Sequence, residues 1–151
     1  QFSWTVWFHF PHDTNWTIDS YTQLCTFDTV EMMVAVMKSI ETISINCMVF
    51  VMKEDIQPLW EHERNKGGGA FSYKIPEAST VSFWNGLVFL TVGSTLLDSP
   101  EEMAYVNGVT ISPKKNFHII KVWFAACKGV ETFSLNDEMG VQHEGRIYAA
   151  F

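Results

Sequence analysis

Two tryptophans stand in polar, loop-like stretches. Trp16 follows the polar stretch Pro11-His-Asp-Thr-Asn15, and Trp60 follows Pro58-Leu59; neither lies inside an apolar run. Glu61 comes directly after Trp60. An indole face stacks on flat rings and attracts cations. A neighbouring carboxylate accepts two hydrogen bonds and balances a positive charge. Two such faces with one carboxylate suit a flat, positively charged ligand. The tryptophans alone would also form a cage for a compact methylated cation such as trimethyl-lysine or choline. Position alone leaves each tryptophan as compatible with a core as with a site.

Other chemistries find little support. His62-Glu63 lacks the second histidine of a metalloprotease helix, His9 and His12 form only a loose pair, and neither a GxSxG elbow nor a P-loop occurs. We therefore expect no enzyme, no cofactor and no metal. Cys25, Cys47 and Cys127 are an odd number at unrelated spacings with no CxxC pair, which fits buried thiols in a reducing compartment.

The formal net charge of −7 is a poor footprint for a protein that tracks a long run of phosphates. A nucleic-acid ligand would have to be recognised at a local feature. Aromatic residues make up 15% of the chain, with six tryptophans, enough to build both a core and a stacking platform.

At 151 residues the chain reads as a single domain, 1–151, able to bury one substantial core. No run approaches the roughly 18 uncharged apolar residues of a membrane span. The start, Gln1-Phe2-Ser3-Trp4, has no secretory pattern. Gln1 is not a natural first residue, so the native N-terminus is expected to lie outside this sequence.

These side chains need elements to hold them. Trp4 to Phe10 alternates as a strand, and Pro11 to Asn15 is a loop. Asp28-Thr-Val-Glu31 reads as a capped helix start, with Val30, Met33, Val34 and Met37 on one face of a helix running to about Ile40. Met48 to Met52 is a strand, Lys53 to Glu61 a loop with Pro58 forbidding a helix, and Ala70 to Ile75 a strand after Gly67-Gly-Gly69. Val81 to Leu97 reads as a helix capped by Ser79 or Thr80. Met103 to Ile111 and Phe117 to Ala126 are strands joined by the hairpin Ser-Pro-Lys-Lys-Asn116. Helical material is expected from Val130, over Val141 to Ala150. Tight turns between strands favour an α+β class, an antiparallel sheet with helices on one face.

Three segments resemble the eukaryotic translation initiation factor 4E family. The first is Trp4-Thr-Val-Trp7-Phe8, followed by Trp16 and then Phe27-Asp28-Thr29-Val30-Glu31. The second is Asp55-Ile-Gln-Pro-Leu-Trp60-Glu61-His-Glu-Arg-Asn65-Lys66-Gly-Gly. The third is Ile119-Ile-Lys-Val-Trp123, with Gly145-Arg146-Ile147-Tyr148 behind it. The likeness covers about Trp4 to Phe151; the family's last strands and C-terminal loop are not expected in this chain.

The resemblance implies a curved antiparallel sheet shaped like a cupped hand, with three helices on its convex back and the 7-methylguanosine cap of messenger RNA bound on the concave face. Trp16 and Trp60 would sandwich the methylated base, and Glu61 would take the guanine N1–H and N2–H₂ edge. The Trp60 backbone N–H would donate to O6, and Trp123 would touch the methyl group. The phosphate clamp departs from the family pattern. Lys114 stands for an arginine and Lys115 lies near the next basic position, while Ile119 and Ala70 replace two customary cations. Strand alternation places Lys121 beside Trp123, where it can supply the missing charge. On the back, Val30 matches a partner-binding valine, but Val34, Asn85 and Gly86 replace the family's tryptophan, leucine and glutamate. The resemblance thus implies a cytoplasmic, monomeric divergent paralogue in translation initiation or its regulation. Its implied partners are the mRNA cap, simple or more methylated, and a 4G-like scaffold or 4E-binding protein.

Overall fold

Alternation along the strands sorts the apolar side chains onto two faces of one sheet. In β3 (Met48–Lys53), Val49 and Val51 join the main core, while Phe50 and Met52 join a smaller cluster on the opposite face. In β6 (Phe117–Phe124), Ile120, Val122 and Phe124 face the main core and Trp123 faces the smaller cluster. The period of two that separates them is the strand's own.

The computed structural model describes residues 2–139 and 146–151. Among them, seven strands form one curved antiparallel sheet. The remaining five are β1 (Trp4–His9), β2 (Thr22–Phe27), β4 (Gly69–Pro76), β5 (Val106–Pro113) and β7 (Ile147–Ala150), and the order is β2-β1-β3-β5-β6-β4-β7. Three helices, α1 (Val30–Ser39), α2 (Glu41–Asn46) and α3 (Glu77–Val92), cover the main-core face. Trp84, Leu87 and Val88 of α3 bury fully against it. His118 of β6 ties the layers together: its Nδ1 lies 3.1 Å from Thr80 Oγ1 of α3 and its Nε2 3.0 Å from the Ile45 carbonyl of α2.

The helices differ in detail from the sequence expectation. Thr29, not Asp28, caps α1, its side chain accepting from the Met32 N–H at 3.2 Å. The apolar stripe of α1 divides. Met33 and Met37 are buried, whereas Val30 and Val34 stay exposed, because α1 meets the other helices along only part of its circumference. The third helix is α2, which continues almost directly from α1; its two isoleucines in six residues masked it.

Helix α3 starts at Glu77 and ends at Val92, earlier at both ends than expected. Neither Ser79 nor Thr80 caps it: Pro76 is the N-cap, and Thr80 Oγ1 donates to the Pro76 carbonyl from inside the first turns.

Two strands also correct the reading. β2, with its polar start Thr22-Gln23, pairs with β1 as an edge strand. Residues expected to be helical near the C-terminus form β7, because Ile147 to Ala150 pair with Gly69 to Ser72 and a filled ladder outweighs the helix preference of alanine. Positions 141–145 of that expected helix lie outside the described residues. Met103 belongs to a short 3-10 turn, Glu102–Tyr105, that precedes β5.

Candidate functional site

The smaller apolar cluster floors a cavity of about 430 Å³ on the sheet face opposite the helices. Its wall brings together Trp16, Trp60, Glu61, Lys121 and Trp123, five of the seven residues singled out for the ligand. The loops bearing Trp16 and Trp60 leave from opposite ends of the β1–β3 pair, since His9 lies opposite Met48 and Trp4 opposite Lys53. Both loops reach back over the same face. Trp16 is 49% exposed and Trp60 59%, so neither indole is spent on the core.

The Trp16 loop is tied down by polar contacts its sequence supplies. Asn15 N–H donates to Asp13 Oδ1 at 2.8 Å, and Thr17 N–H to Asn15 Oδ1 at 2.9 Å. His9 is fully buried, with Nδ1 2.8 Å from the Phe10 carbonyl and Nε2 2.7 Å from the Asn15 carbonyl. Its ring lies parallel to Trp16, covering one indole face. Rings continue inward from there: Tyr21 is 4.8 Å from His9 and 5.3 Å from Phe50, and Phe50 is 6.2 Å from Trp123. Neither His9 nor Tyr21 was among the residues picked out from the sequence. The signal was the alternation of β1, which puts His9 on the same face as Trp7. His12 is exposed, so the loose histidine pair dissolves.

The Trp60 loop is built from successive turns. Leu59 N–H donates to the Gln57 carbonyl at 2.8 Å across Pro58, and His62 N–H to the Leu59 carbonyl at 3.2 Å. Buried Asn65 donates from Nδ2 to the carbonyls of Gln57 at 3.1 Å and Leu59 at 2.8 Å. Gly68 closes the loop where a Cβ would collide with the Phe124 carbonyl, so the loop docks on β6 only with glycine there. Phe151 lies near-parallel to Trp60 at 6.1 Å and 4.9 Å from Trp123.

Charge in the cavity is mixed. Burial, with a smaller contribution from the Glu61 carboxylate, pushes the Tyr21 hydroxyl up to about 12, so it stays a neutral hydrogen-bonding group. Burial, and then the nearby Lys114, pulls the Lys121 ammonium below the usual lysine range. Lys114 and Lys115 are exposed in the β5–β6 turn and do not line the cavity, although the Lys114 charge is felt at Lys121. Among the described residues no cluster of His, Cys, Asp and Glu could hold a metal ion, and no helix is long and apolar enough to cross a membrane.

On the helical face, Val34 and Asn85 line a second hollow with Met33, Met37 and Phe89. Val30 is exposed on α1, and Gly86 faces Met139. Phe89, 52% exposed, brings an aromatic ring to this hollow that the sequence reading did not single out.

The chain matches the family model of eukaryotic initiation factor 4E over residues 1–142. It is 30% identical over 131 residues to initiation factor 4E of Dictyostelium discoideum, covering 82% of this chain and 50% of that protein. With the human factor it is 27% identical over 156 residues, covering 98% of this chain and 66% of that protein. The chain thus spans half to about two thirds of these relatives. In fold it resembles C. elegans eIF4E-3 in complex with the 4E-binding protein Mextli and a cap analog, with a TM-score of 0.83 at 18% identity over 99% of this chain and 90% of that one. It also resembles a schistosome eIF4E complexed with m7GpppG and 4E-BP, with a TM-score of 0.75 at 25% identity over 87% of this chain and 74% of that one.

Proposed function

Starting from the chain's membership of the eukaryotic initiation factor 4E family, to which it belongs, we propose that it binds the 7-methylguanosine 5′ cap of mRNA and acts in translation initiation or its regulation. The observation that carries this is one cavity wall holding two exposed tryptophans, a carboxylate, a third tryptophan and a lysine. Binding, not catalysis, is the activity such a wall supports.

Methylation at N7 makes guanine a flat cation. Trp16 and Trp60 take its two faces, where stacking and cation–π attraction add. Glu61 accepts from the N1–H and N2–H₂ edge and offsets the base's charge. Trp123, in the floor, meets the methyl group. Lys121 stands toward the phosphate bridge, with Lys114 and Lys115 approaching from the hairpin. All three are point charges without the forked geometry of arginine.

A cage for another methylated cation is the less favoured reading. Trimethyl-lysine and choline leave a bidentate acceptor such as Glu61 without a donor and give Lys121 nothing to bind.

Solved complexes of relatives hold Mextli or 4E-BP, which supports a protein partner for this chain, and the family resemblance puts that partner on the helical face. There the hollow around Val34, Asn85 and Phe89 takes the apolar residues of a 4G-like scaffold or 4E-binding protein, with Val30 and Gly86 at its margins. This reading treats residues 1–151 as one cap-binding domain, monomeric and cytoplasmic.

Retention on immobilised 7-methyl-GTP tests the reading. The chain should be eluted by free 7-methyl-GTP and not by GTP, and Trp60→Ala should weaken retention. Elution by both nucleotides alike contradicts it.

A further inference from the structure

The Trp60 loop is fixed by a residue on a distant strand. Asn107 is the extra residue of a bulge in β5: Val106 pairs with Phe124 and Gly108 with Trp123, leaving Asn107 unpaired between them. A bulge re-aims the side chain it carries. Here the Asn107 amide turns toward the loop, where Nδ2 donates to the Arg64 carbonyl at 2.8 Å and to Asn65 Oδ1 at 3.0 Å. Gly108, next to it, lets β5 lie close on β3, since a Cβ there would meet the Val51 carbonyl oxygen and the Met52 sulfur.

Asn65 passes this anchoring on to the site. Its Nδ2 holds the Leu59 carbonyl at 2.8 Å. That carbonyl and the Trp60 N–H belong to one trans peptide, in which the two groups point in opposite directions. Pinning the oxygen toward the buried amide therefore turns the N–H away from it. The Trp60 N–H has no partner among the described residues, and Leu59, Trp60 and Glu61 all line the cavity. Both asparagines are fully buried, and Asn107 Oδ1 has no partner among the described residues. Packing alone would favour an apolar side chain over a buried amide with an idle acceptor.

We propose that Asn107 and Asn65 are positioning residues that aim the Trp60 backbone N–H at the oxygen on C6 of the bound purine, so that a residue of β5 controls base discrimination without touching the ligand. The relay runs from the bulge at Asn107, through the Asn65 side-chain amide, to the Leu59–Trp60 peptide. Stacking by the indole does not need it; reading of the six-position does. The proposal rests on the cap-binding reading of the same cavity.

The test compares affinity for 7-methyl-GTP with affinity for 7-methyl-6-thio-GTP, which keeps the N1–H and N2–H₂ edge and replaces O6 by sulfur, a weaker acceptor. Wild type should prefer the oxygen ligand severalfold. Asn107→Leu removes both donated bonds at similar volume, and Asn65→Asp keeps the acceptor for Asn107 while losing the donors to Leu59 and Gln57. In both, the preference should shrink toward unity while tryptophan quenching on binding persists. An unchanged preference in folded variants overturns the proposal. Should the variants fail to fold, the Trp60 amide resonance of wild type decides: it should move downfield with 7-methyl-GTP and less with the thio analogue, and equal or absent shifts overturn the proposal. Failure of wild type to bind either nucleotide would instead sink the cap-binding reading itself.

Discussion

The His9 imidazole lies against the Trp16 indole with ring centroids 4.1 Å apart and planes within 5° of parallel. A loop tryptophan half open to solvent is thus already oriented before any ligand arrives. The residue that orients it is locked by two carbonyls and wholly buried. A ring held in place loses less rotamer freedom on binding than a free one.

His9→Ala should therefore weaken binding of 7-methyl-GTP by about 0.5–1.5 kcal/mol, the worth of an aromatic pair. His9→Phe, which keeps the stacked ring, should lose less. Isothermal titration of the two variants against wild type separates a stacking role from a hydrogen-bonding one; equal losses assign the effect to the carbonyl contacts.

The sandwich makes a direct prediction. Trp16→Ala and Trp60→Ala should each cost roughly 1–3 kcal/mol of cap affinity with little change in thermal midpoint, because neither indole is buried. Wild-type affinity in both folded variants would place the base elsewhere.

That Trp16, Trp60 and Glu61 share one cavity wall was legible in part: both indoles follow loop stretches and not apolar runs, position alone leaves each between core and site, and the family resemblance tips the reading. Lys121 was legible through strand alternation, which sets it on the Trp123 side of β6. His9, Tyr21 and the Asn65–Asn107 pair were not. His9 and Tyr21 meet Trp16 only once the loop between β1 and β2 folds back over the sheet, and Asn65 and Asn107 lie 42 residues apart, the bulge that turns Asn107 being a property of pairing with β6. β7 escaped notice for a similar reason: four residues with no pattern of their own become a strand because Gly69 to Ser72 lie open beside them.

Lys121 should act on phosphates and not on the base. Lys121→Ala should weaken 7-methyl-GTP more than 7-methylguanosine and flatten the salt dependence, since one fewer charge takes part. Its ammonium lies below the ordinary range, so the advantage of nucleotide over nucleoside should fade as pH rises, and sooner than for an exposed lysine. Equal losses for the two ligands would assign Lys121 to packing.

Lys53 predicts a pH effect on stability. It is 4% exposed, its Nζ donates to the Ala104 carbonyl at 3.4 Å, and burial first, then Arg64, lowers it to about 8 against an opposing pull from Asp55. Between that value and the ordinary 10.5 the unfolded chain holds the proton more firmly than the folded one, so this lysine makes stability rise with pH across the window. Tyr21, raised to about 12, acts in the opposite sense above pH 10, because the unfolded chain gives up its proton first. The difference in thermal midpoint between wild type and Lys53→Met, followed from pH 7.5 to 10, cancels the tyrosine and should change steadily in favour of wild type. A flat difference would mean that Lys53 titrates as a solvated amine.

Competition followed by tryptophan fluorescence tests the central claim most directly, because Trp16, Trp60 and Trp123 report from the cavity itself. The account predicts strong saturable quenching by 7-methyl-GTP, at least tenfold weaker binding of unmethylated GTP, and no competition from a trimethyl-lysine peptide. Equal affinity for GTP and 7-methyl-GTP, or displacement of the nucleotide by the peptide, would contradict it.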